Sequence, residues 1–277
     1  MIFMNGTKKV WLASLVKQEN NYLLEWVDHY RKIGVDKILL CDNNDKDGER
    51  PQDVLQDYVD EGYVIVRDFR GQKFDQTKVL SQMYREYSYL FDWLCVFDVD
   101  EFLFFRNKDL TIQEWLSQKK FDGHDAIRIP WIVYDDNGLL DVGEDGDYSC
   151  LNRFTHKMAV NRWNEINART TKSILRSGVE SIRRVNEHGT YDTQNVVDCN
   201  GILCGSRTTC FRKPTKNPDA WLNHYRTKTI GEFFRKKLRP GYGYRNVGNT
   251  VKFFFSINKD TWAKREYLSQ LQKGLIK

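Results

Sequence analysis

The chain lacks the spacings that usually announce a metal or redox module. Six cysteines occur, at 41, 95, 150, 199, 204 and 210, yet no two form a C-x-x-C pair. Cys199, Cys204 and Cys210 cluster loosely, with a spacing that fits no structural zinc template. Free thiols in a reducing compartment are therefore the expectation. No leader with a basic start, an apolar stretch and a cleavage site opens the sequence, so a cytoplasmic location is expected. No run of 18 apolar residues is present, so no membrane-spanning helix is expected. The sequence also has no internal repeat, no low-complexity linker, no glycine-rich phosphate loop of the G-x-G-x-x-G or Walker type, and no recognised nucleic-acid-binding motif. Nucleic acid is accordingly not expected as a partner.

What is present indicates a folded domain. Hydrophobic residues make up 40% of the 277 residues and charged residues 29%, a balance that supports a packed core. Aromatic residues reach 14%, enough to furnish flat apolar platforms for sugars as well as core filling. The net charge is +5, unevenly spread. Residues 226 to 245 (RTKTIGEFFRKKLRPGYGYR) are rich in Lys and Arg and contain a single Glu. Such a patch suits phosphate groups or an anionic membrane surface.

Strand and helix signals alternate through the first hundred residues. VWLASLV (10–16) reads as a buried strand. The segment 19–33 carries an apolar stripe at Tyr22, Leu23, Trp26, Val27, Tyr30 and Ile33, and Gly34 closes it. KILLC (37–41) is the next strand, a helix over 54–58 closes near Gly62, and YVIVR (63–67) is the third strand. A helix over 76–90 leads to WLCVF (93–97). This order predicts an α/β fold with a mostly parallel sheet flanked by helices. Thr111 and Glu114 form a capping-box pattern for a helix over 111–119. Strands are expected at 126–133, 171–176 and 181–185, and mostly helix from Trp221 on. The expected organisation is a catalytic domain over 1–220 with a helical, basic extension over 221–277.

The stretch LCVFDVDEFLFF (94–105) places Asp98, Asp100 and Glu101 inside an apolar, aromatic run. A buried carboxylate without a partner is costly, so these acids call for a cation. Asp98 falls at the carboxyl end of the fourth strand, where α/β sheets bind ligands, and Asp42 falls at the end of the second. If strand geometry persists through Asp98-Val99-Asp100, both carboxylates face one side and can grip a hard divalent ion that keeps positions open for phosphate oxygens.

KQENNYLLEWVDHYRKIGVDKILLCDNNDKDG (17–48) and FDVDEFL (97–103) resemble the nucleotide-sugar glycosyltransferases of the GT-A fold, in the branch of glycosyltransferase families 2 and 92. The resemblance recurs in TKSILR (171–176), EHG (187–189) and NHYRTK (223–228) and is poor over 135–170. It implies a GT-A (Rossmann-like) sheet and a hexosyl transfer from a UDP-sugar, with galactose as the suggested sugar, assisted by Mn²⁺ or Mg²⁺. Asp98 and Asp100 would be metal ligands, completed by His188 or His224. Lys17, Glu19, Asn20, Asp42, Lys78, Gln82 and Asp98 would line the donor pocket, with Tyr225, Arg226 and Lys228 closing over the diphosphate. Glu101 and Trp131 would meet the acceptor. An inverting transferase needs a carboxylate base. Asp135 and Asp136 are the candidates, with Glu144, Asp145 and Glu165 in reserve. The acceptor implied is a glycan or lipid-linked oligosaccharide in bacterial surface polysaccharide synthesis, reached by peripheral contact with the inner face of the membrane. A metal-dependent nucleotidyltransferase or phosphohydrolase of α/β fold is the alternative.

Overall fold

A computed structural model describes residues 8–73, 75–160, 165, 169–186, 188–190, 192–204, 215–238 and 247–274. Cys210, Arg239 and Arg245, named above within the cysteine cluster and the basic segment, lie outside the described residues. The elements run β1 Val10–Val16, α1 Asn20–Lys32, β2 Lys37–Asp42, α2 Gln52–Asp60, β3 Val64–Asp68, α3 Gln76–Tyr87, β4 Trp93–Val96 and β5 Glu101–Phe105. They continue with α4 Ile112–Leu116, β6 Ala126–Val133, α5 Cys150–Arg153, β7 Thr171–Arg176, β8 Val196–Asp198 and β9 Ala220–His224. Three helices follow, α6 Ile230–Leu238, α7 Val247–Ile257 and α8 Trp262–Gln272.

Strand order is β3-β2-β1-β4-β7-β6-β9-β5, with β8 pairing β6. β3, β2, β1 and β4 are mutually parallel, and β7 lies antiparallel between β4 and β6. β1, β2 and β4 are buried nearly throughout, which is why they read as continuous apolar runs rather than alternating ones, while the edge strand β3 buries only Val64 fully. The helical stripe behaves as its spacing requires, since Tyr22, Leu23, Trp26, Val27 and Tyr30 are all buried. Gly34 takes φ +93°, a turn that a residue with a Cβ adopts only under strain. The Thr111–Glu114 capping box forms in both directions, with Thr111 N donating to Glu114 Oε2 at 2.8 Å and Glu114 N to Thr111 Oγ1 at 3.2 Å.

Two expectations fail for identifiable reasons. Residues 181–185 form no strand. Their amides are taken by side chains instead: Val185 N donates to Ser81 Oγ at 2.9 Å, and Arg183 N and Arg184 N donate to Asp192 Oδ2 at 2.9 and 2.5 Å. The segment from Trp221 does not begin as helix, because Ala220–His224 joins the sheet as β9.

Packing divides the chain into two compact units, 1–131 with 169–222, and 132–168 with 223–277. The C-terminal segment expected as an extension thus groups with 132–168. In that second unit, Ile230, Phe233, Phe234, Phe254 and Leu268 form a separate apolar core.

His29 on α1 gives a first test of the core. Its ring packs against Tyr30, Phe102 and Phe104, and Nε2–H donates to the Leu103 carbonyl at 2.8 Å. Burial lowers its pKa from 6.5 to about 4. Between those values the unfolded chain holds the extra proton, so stability rises with pH through this window. Acidification from pH 7 to pH 4 is expected to cost about 2 kcal/mol at this site, less than the full shift because the ring keeps some solvent contact. Urea midpoints of wild type and His29→Gln across that range check it. An unchanged pH slope in the variant would contradict the assignment.

Candidate active site

The chain runs β1, β2, β3 in one direction and then crosses to β4 on the other side of β1. That reversal is a topological switch point at the carboxyl ends of β1 and β4, where α/β sheets take ligands. Gln18, just past β1, holds φ +58°, an uncommon conformation for a residue with a side chain. Asn44 fixes it there by accepting Gln18 N at 2.8 Å. Asn44 in turn donates to Asp42 Oδ1 from its backbone (2.9 Å) and side-chain amide (2.8 Å). Asp42 is only 1% exposed, and Arg70 Nε lies 3.4 Å from its other oxygen. Burial raises its pKa, and the Asn44 amides and Arg70 oppose the rise. Asp42 was expected to face the nucleotide directly. In the structure it is a buried residue whose oxygens are taken by Asn44 and Arg70.

At the mouth of β4 the chain does not continue as a strand. β4 ends at Val96, residues 99 and 100 form a turn, and β5 begins at Glu101. The expected strand-like D-x-D is therefore a turn. Its closure is a two-way staple: Glu101 N donates to Asp98 O at 3.0 Å, and Asp98 N to Glu101 Oε2 at 3.0 Å. Helix α1 clamps it. Trp26 Nε1–H donates to the carbonyls of Asp98 (3.1 Å) and Glu101 (3.0 Å). Tyr30 OH donates to Glu101 O at 2.9 Å and accepts from Leu103 N at 3.2 Å. The turn thus projects Asp98 outward, its side chain 41% exposed, and folds Glu101 fully inward at 0%. Glu101 was expected at the acceptor, and its burial excludes that contact.

Lys172 on β7 supplies the cation these acids required. Its Nζ lies 2.5 Å from Asp98 Oδ2 and 3.4 Å from Glu101 Oε2, and the residue is 1% exposed. Burial opposes its charge, but the carboxylates of Asp98 and Glu101 outweigh that and push its pKa above the ordinary lysine value. The ammonium therefore stays protonated.

The remaining predicted residues fall as follows. Lys17 pairs with Asp45 at 3.1 Å, and Asn20 binds Glu49 and Arg50 O through its backbone and side-chain amides. Glu19 is buried at 8%. Lys78 is exposed on α3, whereas Gln82 donates to Glu86 one turn along, at 2.6 Å. Trp131 is 6% exposed with its ring near His188, so it offers no open sugar platform. The His188 ring contacts Thr171 O at 3.2 Å. Among the described residues no three His, Cys, Asp or Glu side chains group to hold a metal ion, so neither His188 nor His224 completes such a set. His224 is a buried β9 residue, 4% exposed, whose carbonyl accepts Tyr134 N at 3.0 Å.

In the second unit, Tyr225 is 2% exposed and packs on Tyr134 and Phe154 as core. The Arg226 guanidinium lies over Phe253, 4.6 Å from the ring centre. Lys228 is 7% exposed with φ +52°. Tyr225 and Lys228 are too buried to close over a diphosphate as expected. Asp136 is 2% exposed and ion-paired with Lys264 at 2.6 Å, which removes it as an accessible base. Asp135 is half-buried, and its Oδ1 accepts Asn137 N at 2.9 Å. Glu144, Asp145 and Glu165 are exposed.

A sheet with this switch point, carrying an acid turn at the end of β4, places its acids where α/β sheets bind ligands. The chain belongs to glycosyltransferase family 92, whose family model matches residues 12–241. Among solved structures, it is similar to the mannosyltransferase PcManGT from Pyrobaculum calidifontis in complex with GDP-Man and Mn²⁺, at 10% identity and TM-score 0.35, covering 46% of this chain and 36% of that one. It is also similar to S. aureus TarS, at 10% identity and TM-score 0.43, covering 91% of this chain and 44% of that one. TarS 1–349 in complex with UDP-GlcNAc gives the same identity and TM-score, with 94% and 78% covered. The chain thus spans less than half of the first two. No curated protein matches the sequence.

Proposed function

We propose that the protein transfers a hexose, galactose-like in the first instance, from a UDP-sugar to a hydroxyl of a glycan or lipid-linked oligosaccharide, with inversion and with a divalent cation. The observation that carries this reading is the acid turn at the β1/β4 switch point. Asp98 is exposed there on a rigid support, with Asp100 two residues on. Two hard carboxylates with few other protein donors suit Mn²⁺ or Mg²⁺, which leave positions to phosphate oxygens and water. Asp98 and Asp100 would hold the ion, which supplies charge neutralisation for a departing diphosphate. The chain's own part is to orient. Trp26 and Tyr30 fix the turn, and Asp42, Asn44 and Arg70 fix the neighbouring loop ends. Family membership favours sugar transfer over nucleotidyl transfer or phosphate hydrolysis. The basic segment motivates contact with an anionic membrane, although Arg235 within it is already bonded to Asp141.

A thermal-shift panel of nucleoside diphosphates with and without Mn²⁺ tests the donor site. A ligand at 100 times its Kd stabilises the folded state by about 2.7 kcal/mol. UDP with Mn²⁺ is expected to raise the Tm of wild type, and UDP alone to raise it much less. Asp100→Ala should keep its fold and lose the shift. If no nucleoside diphosphate moves the wild type, the donor-site reading fails.

A further inference from the structure

The acid turn has an occupant of its own. β7 pairs antiparallel with β4 so that Ser173 faces Val96, which brings Lys172 level with Phe97, one residue before Asp98. A lysine placed there only to neutralise the buried Glu101 would make its shorter contact with Glu101. The distances are the reverse: 2.5 Å to the exposed Asp98 and 3.4 Å to the buried Glu101. The ammonium thus lies between a carboxylate that faces solvent and one that does not. A divalent cation on Asp98 would meet a fixed positive charge already bonded to the same carboxylate.

We propose that Lys172 is a positioning residue that shares Asp98 with the divalent cation and sets how tightly that cation binds. When the cation arrives, the ammonium gives up Asp98 and stays on Glu101. When the cation leaves, Lys172 holds the Asp98 carboxylate in place and keeps the turn from carrying unbalanced negative charge. This inference rests on the reading of Asp98 and Asp100 as cation ligands. Like charges a few ångströms apart in a partly buried site repel strongly, so removing the ammonium should favour the cation.

The test is Mn²⁺ binding without nucleotide, followed by the electron paramagnetic resonance signal of free Mn²⁺. Lys172→Met is expected to bind at least tenfold tighter than wild type, and Lys172→Arg to stay within about threefold of it. A folded Lys172→Met that binds equally or more weakly overturns the role of Lys172 and leaves the cation site standing. If neither wild type nor variant binds Mn²⁺, the cation site itself fails and the inference with it. Binding by Lys172→Met alone supports the inference and shows that the ammonium blocks the site. Because Lys172→Met strands Glu101 in the interior, the ¹⁵N resonance of the Lys172 ammonium is followed in wild type as well. Mg²⁺ is expected to shift it saturably. Mg²⁺ binding that leaves it unmoved overturns the proposal.

Discussion

Lys264→Met is expected to destabilise the protein by about 3–5 kcal/mol at neutral pH, the usual cost of removing one member of a buried ion pair. The Lys264 ammonium lies 2.6 Å from Asp136 Oδ2 and 2.8 Å from Oδ1, and both side chains are 2% exposed. The same ammonium donates to Lys259 O at 2.9 Å. Asp136 N donates to Asn258 Oδ1 at 2.8 Å, and Gly138 N donates to Asp136 Oδ1 at 2.9 Å. One pair therefore ties the turn after β6, the end of α7 and the start of α8. Burial already raises the Asp136 pKa, with Lys264 the main opposing influence. Without the lysine the carboxyl rises further and takes up a proton in the folded state. A group whose folded pKa lies above its unfolded value favours folding at low pH. The deficit of Lys264→Met relative to wild type should therefore shrink as pH falls from 7 toward 4. The double variant Asp136→Leu/Lys264→Met is expected to recover most of the loss, since an apolar pair avoids the stranded charge. Chemical denaturation of the four proteins of this cycle reads both effects. A Lys264→Met variant within about 1 kcal/mol of wild type would show that the pair does not hold this unit together.

The same pair shows where sequence reading stops. Asp135-Asp136-Asn137-Gly138 has the composition of a turn whether its acids face water or a lysine. Its partner lies 128 residues away, and no local pattern encodes that distance. The parallel half of the sheet was legible for the opposite reason. β1, β2 and β3 with α1 and α2 are formed by short-range periodicity and short connections, and the α1 stripe buries the residues its spacing names except Ile33, which is the half-buried C-cap. The place of the acids was legible too, since strand ends in such folds are fixed by the order of elements. Their geometry was not. Asp98-Val99-Asp100 reads as strand, and it is turned by the Asp98–Glu101 staple together with bonds from Trp26 and Tyr30, more than seventy residues earlier. Lys172 left one usable signal: three acids in an apolar run need a cation, and TKSILR carries a lysine inside an otherwise buried strand. β9 was misread because AWLNH becomes a strand through pairing with distant partners, which propensity alone does not report.

Trp26→Ala is the second substitution with a large expected effect, about 3–5 kcal/mol of lost stability from cavity formation at a fully buried indole. The ring also packs edge-on against Tyr30, with centroids 4.9 Å apart. Volume alone would make it an ordinary core residue, so the informative comparison is Trp26→Phe. That variant keeps an aromatic ring in the core but removes the N–H shared by Asp98 O and Glu101 O. Losing this donor is expected to cost about 1–3 kcal/mol. It also frees the turn at the two carbonyls that bracket Asp100. The UDP- and Mn²⁺-dependent rise in Tm should then shrink in Trp26→Phe by more than the stability loss explains. Melting curves with and without ligand, compared at equal distance below each protein's own Tm, separate the two effects. Should Trp26→Phe bind as well as wild type, the Asp98–Glu101 staple and Tyr30 suffice to hold the turn, and Tyr30→Phe becomes the decisive variant. The Tyr30 hydroxyl donates to Glu101 O and accepts from Leu103 N, so its removal loosens the start of β5 and one end of the acid turn, leaving the Asp98 end held. The ordering of the two variants in ligand response therefore tells which side of the turn presents Asp98 and Asp100 to the donor.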